Sequence, residues 1–133
     1  MVKEKIAHII SLILKTESFK DLPVGWDSYD SKPPSRLSID KTQYLILLSS
    51  SKELYVDNVV PSVEGGIGII FREKNLYADI EIYNNGEACY VCSRGKRDWV
   101  VNETHDFEDF ITMVSTFLKC GILPKKEKEG DSA

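Results

Sequence analysis

The sequence predicts an α+β fold: two N-terminal helices, an antiparallel β-meander of three to four strands, and a C-terminal helix packed on the sheet. Three observations carry this. Apolar residues recur at three-to-four spacing near both ends of the chain, they alternate at spacing two from Pro61 onward, and clusters of Gly, Pro, Asn and Asp mark the changes of period.

Val2, Ile6, Ile9, Ile10, Ile13 and Leu14 form one stripe, with Glu4, His8, Ser11 and Lys15 opposite, so residues 2 to 16 predict a helix whose polar face, His8 included, lies in water. Phe19 to Pro34 holds Asp21, Pro23, Gly25, Asp27, Ser28, Asp30, Pro33 and Pro34, too many turn formers for a helix or an inner strand. It reads as a loop containing Trp26 and Tyr29. Ser35 is placed to cap a second helix that runs to about Leu54. Its segment Tyr44-Leu45-Ile46-Leu47-Leu48 is apolar almost all round, which sets it between two layers or under a partner.

Ile67, Ile69 and Phe71, then Leu76, Ala78, Ile80 and Ile82, alternate with other residues as half-buried strands do. Glu73-Lys74-Asn75 and Asn84-Asn85-Gly86 supply the turns, and further strands span Glu87 to Ser93 and Asp98 to Val101, joined around Arg94-Gly95-Lys96. Phe107, Phe110, Ile111, Val114, Phe117 and Leu118 make a continuous helical stripe that Gly121 ends, with Asp106 as its natural N-cap. Residues 1 to 123 therefore read as a single domain, and residues 124 to 133, rich in Lys and Glu, as a disordered charged tail.

A chain of 133 residues with 42% hydrophobic side chains has the apolar mass for one core. The formal charge of −4 argues against a dedicated nucleic-acid binder and against anionic membrane surfaces. No apolar run reaches the roughly 18 residues of a membrane span, and none resembles a secretory leader, so the expected location is cytoplasmic. Three cysteines are too few for a disulfide framework.

Candidate chemistry is sparse. Gly65-Gly66-Ile67-Gly68 lacks the Lys-Ser/Thr pair and following helix of a phosphate loop, and reads as a tight turn into a strand. Cys89 and Cys92 have metal-site spacing, but on a strand residues three apart point to opposite faces, so no metal or other cofactor is expected. Glu103, Asp106, Glu108 and Asp109 beside His105 resemble an acid/base cluster, against which stands their use as helix-start carboxylates. Arg94, Lys96 and Arg97 near Tyr90 and Trp99 could track a nucleic-acid strand, yet residues 61 to 124 carry six basic against ten acidic groups. The two histidines occupy no nucleophile context, so no catalytic residue is nominated.

The distinctive run is Gly25-Trp26-Asp27-Ser28-Tyr29-Asp30-Ser31-Lys32-Pro33. Large aromatics in a loop either plug a helix junction or form a recognition surface. The plug is the expectation for Trp26, with Trp26→Ala costing about 3–5 kcal/mol, and Tyr29 and Asp30 are the expected exposed contacts. The run resembles the WDGYGA-x-P motif of a widespread set of short bacterial proteins, in which a Ser-capped helix and a Pro-x-Val, Gly-Gly-Ile strand segment follow. Pro61-Ser62-Val63-Glu64-Gly65-Gly66-Ile67 stands at that place here, and Ser28 and Ser31 replace the motif's Gly and Ala. The resemblance covers about residues 25 to 83 and implies a helper, antitoxin-like or inhibitory binding protein from mobile or defence-rich gene neighbourhoods. It brings no catalytic residue.

The expected function is thus a non-enzymatic module that binds a larger effector or toxin-like protein, with a homo-oligomer compatible. Candidate contacts are Tyr29, Asp30, Tyr44, Leu48 and Trp99, and structural loop residues are Trp26, Asp27, Pro33, Gly65 and Gly66. The competing expectation is a small-molecule site or small enzyme built from Trp26, Asp27 and Tyr29 with the acidic cluster near His105.

Overall fold

The computed structural model describes residues 2–27, 30–94, 97–101 and 107–121, the 97–101 segment through its backbone. Three helices, α1 (Val2–Ser18), α2 (Arg36–Ser51) and α3 (Phe107–Cys120), accompany five strands, β1 (Asn58–Ser62), β2 (Gly66–Glu73), β3 (Leu76–Tyr83), β4 (Ala88–Arg94) and β5 (Arg97–Val101). The strands pair antiparallel in chain order. The α+β architecture is therefore the one read from sequence, with one strand more. That strand, β1, escaped because it contains Pro61, which ends a period-two reading. At a sheet edge a proline costs no ladder hydrogen bond, and Pro61 pairs with Ile67 on the outermost strand.

Alternation sorts the sheet into two faces. Ile67, Ile69 and Phe71, then Ala78, Ile80 and Ile82, then Ala88, Tyr90 and Cys92 are buried and share one core cluster with Ile39, Leu45 and Ile46 of α2 and Phe110, Ile111, Val114, Phe117 and Leu118 of α3. Tyr90 and Phe110 meet edge to face at 4.9 Å, a favoured aromatic geometry. The opposite face, with Ile70, Tyr77, Asp79, Glu81, Tyr83 and Val91, is half-buried.

Helix ends follow their local chemistry. The Ser35 side chain accepts from the Ser38 amide at the start of α2, and at the end of α3 the Gly121 amide donates to Phe117 O at 2.8 Å with φ of +73°. Helix α2 stops at Ser51, short of the expected Leu54. Glu53 adopts φ of +58°, and the Leu54 amide returns to Ser49 O at 2.8 Å, a helix-ending geometry that usually advertises itself by glycine.

The largest departure concerns α1. Its core-facing residues are Leu12 and Thr16, with Ile9 and Ile13 half-buried, whereas Val2, Ile6, Ile10 and Leu14 are exposed. His8, expected in water, stacks on Tyr55 at 4.8 Å and donates from Nε2 to Val56 O at 2.7 Å. The helix lies on the sheet margin, with β1 on its His8–Lys15 side, where Lys15 donates to Asn58 Oδ1 at 2.8 Å. Helix α2 lies on its Ile13–Glu17 side, where Gln43 donates to Ile13 O and Arg36 grips Glu17. Those contacts claim both flanks and leave much of the apolar stripe outside.

Candidate interaction surface and the aromatic loop

The loop after α1 is tied into a knot by its own polar groups. The Gly25 amide donates to Ser31 O at 2.8 Å, and Ser31 Oγ lies 2.5 Å from Asp27 Oδ2 and 3.0 Å from Val63 O. The Trp26 indole donates to Lys32 O at 3.2 Å. Asn84 completes the knot: its side chain donates to Pro33 O at 3.1 Å and accepts from the Ser35 amide at 2.8 Å, while its backbone amide donates to Gly65 O at 3.0 Å. A Cβ on Gly66, whose φ is +144°, would overlap the Ile82 carbonyl, so this position tolerates only glycine. The Trp26 loop and the Val63–Gly66 turn are thus spatial neighbours, joined by Ser31 on one side and Asn84 on the other. Sequence reading missed Asn84 as a hub, since Asn84-Asn85-Gly86 signals only a hairpin turn.

Trp26 is half-buried and stands apart from the core cluster. The apolar anchor of this region is Phe19, 6% exposed in the short 3-10 turn Phe19–Asp21, with Leu22 packed on the core beside it. Asp27 and Pro33 are half-buried and Asp30 is exposed. Tyr29, Glu103, His105 and Asp106 fall outside the described residues, whereas Glu108 and Asp109 are exposed in the first turn of α3.

Of the other candidate contacts, Tyr44 is 50% exposed and its ring lies 6.3 Å from that of Phe107 on α3, which Lys41 also overhangs at 5.5 Å. Leu48 is half-buried and packs on the core, which leaves it a smaller share of any contact. The backbone of Trp99 pairs with Cys92 in β5, and its side chain lies outside the described residues.

The geometry of the described residues bears on two chemical readings. Cys89 and Cys92 do diverge to opposite sheet faces, and burial pushes the Cys92 thiol up to about 12. Burial also raises the Cys89 thiol, which lies 3.4 Å from Tyr83 Oη and near Glu81, Asp79 and Glu64. Both stay protonated at neutral pH and are poor nucleophiles. Tyr90, considered as a base-stacking platform, has its ring fully inside the core with Oη donating to Met113 Sδ at 2.6 Å. Arg94 at the hairpin tip donates to Gly121 O and so ties β4 to the end of α3.

What the arrangement does present is an apolar exterior on the helical layer. Among the described residues ten large apolar side chains are exposed, and seven of them, Val2, Ile6, Ile10, Leu14, Leu37, Tyr44 and Leu47, belong to α1 and α2. Scattered singly such residues mean little; here they are concentrated on two packed helices.

No family model, curated protein or solved structure matches the chain. No helix among the described residues is long and apolar enough to cross a membrane.

Proposed function

We propose that this protein is a non-enzymatic protein-binding module that occupies a surface on a larger effector through the outer face of its helical layer. The single observation that carries this reading is the concentration of exposed apolar side chains on α1 and α2. The contact most suited to a foreign partner is the α2–α3 seam, where Tyr44, 50% exposed, stands beside the half-buried Phe107 and Leu37, 44% exposed, lies two turns earlier on α2 beside Gly86. An exposed tyrosine resting on a second aromatic offers a large rigid contact area, the kind of residue on which binding energy concentrates. The resemblance of the Trp26 loop to a motif of short bacterial proteins supports a finer version: an antitoxin-like, inhibitory or accessory subunit of a mobile-element or defence system.

The test is affinity capture from the native host with the parent chain and with a Leu37→Ser/Tyr44→Ala variant, alongside thermal melts of both. A stoichiometric protein held by the parent and lost by a variant of unchanged melting temperature is the expected outcome. A partner retained equally by both, or a small molecule retained with no protein, overturns the reading.

A further inference from the structure

We propose that the cavity between the β2–β3 turn, the end of β4 and the last turn of α3 binds a small organic phosphate. Its volume is about 590 Å³, within the range of small-molecule sites. Three cations line it, Lys74, Arg94 and Lys119, against the one carboxylate of Glu73. A chain of formal charge −4 thus gathers positive charge around one concave site. The cavity stands at the opposite end of α3 from Phe107, about 20 Å away along a 14-residue helix, so the proposal is separate from the protein-binding surface.

None of the three cations forms an ion pair with a described residue, whereas Arg36 and Arg72 are held by carboxylates of their own chain. Arg94 donates an N–H to Gly121 O, which fixes its guanidinium at the cavity wall and leaves further donors in the same plane. The same bond covers a carbonyl at the negative end of the α3 dipole, which would otherwise repel an anion, and Lys119 in the last turn adds to that effect. Lys74 has φ of +57° at the first position of a two-residue hairpin loop, where a positive φ ordinarily falls to glycine. A lysine there carries a backbone cost that the turn itself does not require, and this lysine lines the cavity.

Separate cations around one cavity favour a ligand whose charge is spread over several oxygens. A phosphate offers that, and the planar N–H donors of a guanidinium match its geometry. A monocarboxylate would leave most of the positive charge uncompensated. Leu76 and Leu118 line the same cavity and give an apolar or ring portion a surface to rest on. The ligand class is therefore a nucleoside or sugar phosphate that carries more than one negative charge.

Cys120 lies in the cavity wall and is exposed, while Cys89 and Cys92 are buried, so its alkylation by N-ethylmaleimide reports occupancy. Calorimetry of the full chain with ADP, a hexose bisphosphate and pyrophosphate is run beside that labelling, with adenosine as the uncharged control. ADP or the hexose bisphosphate is expected to bind with a dissociation constant below about 1 mM and to slow Cys120 labelling in proportion to occupancy, and the tighter of the two identifies the organic portion. Adenosine is expected to do neither. Lys74→Gly, which relieves the positive φ, should melt no lower than the parent and bind about tenfold more weakly. Lys119→Gln should weaken binding by a similar factor, a second test that leaves the turn untouched. Binding by none of the phosphates or by pyrophosphate alone, binding that leaves Cys120 labelling unchanged, or full affinity in both variants overturns the proposal. A single-stranded oligonucleotide that protects Cys120 far more tightly than ADP overturns it as well.

Discussion

At residue scale the buried face of α2 is unusual for what it omits. Ser38, Thr42 and Ser49 are wholly buried against the sheet, small side chains that let the helix sit close to β2 and β3. Ser38 is satisfied by Ser35 O at 2.9 Å, but the hydroxyls of Thr42 and Ser49 have no hydrogen-bond partner among the described residues. A buried hydroxyl without a partner costs roughly 1–3 kcal/mol of desolvation. Valine matches threonine in shape and carries no such group. Thr42→Val is therefore expected to stabilise the protein by about 1 kcal/mol, read as a higher midpoint in urea with an unchanged slope. A lower midpoint would show that the hydroxyl is bonded after all.

Between elements, the best-defined polar joint is the one that clamps α1 to α2. Arg36 holds Glu17 with two hydrogen bonds of 2.8 Å, and Gln43 adds a third at 3.1 Å. The Arg36 bond, then the Gln43 bond, hold the Glu17 carboxyl at about 2 instead of 4.5. A carboxyl whose pKa is lowered by folding contributes its stability in full above the unfolded value and loses it as pH falls through the folded one. The advantage of the parent over Glu17→Gln should thus be greatest above pH 4.5 and fall away as pH drops through about 2, followed by melting curves across that window. The joint faces solvent, so salt should reduce the difference as well. The Asn84 knot works by another principle: a side chain that bonds a loop, a helix cap and a turn at once sets their mutual geometry in a way that no local signal announces.

For the molecule as a whole, the junction between the N-terminal helices and the sheet is sealed by Phe19. Phe19→Ala is expected to cost about 3–5 kcal/mol, and Trp26→Ala about 1–2 kcal/mol, because only the first ring lies in the core. Chemical denaturation of the two variants checks the order, and a Trp26→Ala cost equal to that of Phe19→Ala would restore Trp26 as the plug. The sequence by itself determined what short-range periodicity and end chemistry encode: the α+β class, the central strands with their turns, the Ser35 cap, α3 closed by Gly121, and the divergence of Cys89 from Cys92. Those features depend on neighbours three or four residues away, which the chain states directly. Only the tertiary structure decided that Pro61 lies on an edge strand, that Phe19 rather than Trp26 reaches the core, that His8 is packed on Tyr55, and which arc of α1 is left uncovered. Periodicity marks an apolar arc wider than one neighbour can cover. Which part of that arc is buried depends on where α2 and β1 approach, and long-range contacts alone set that.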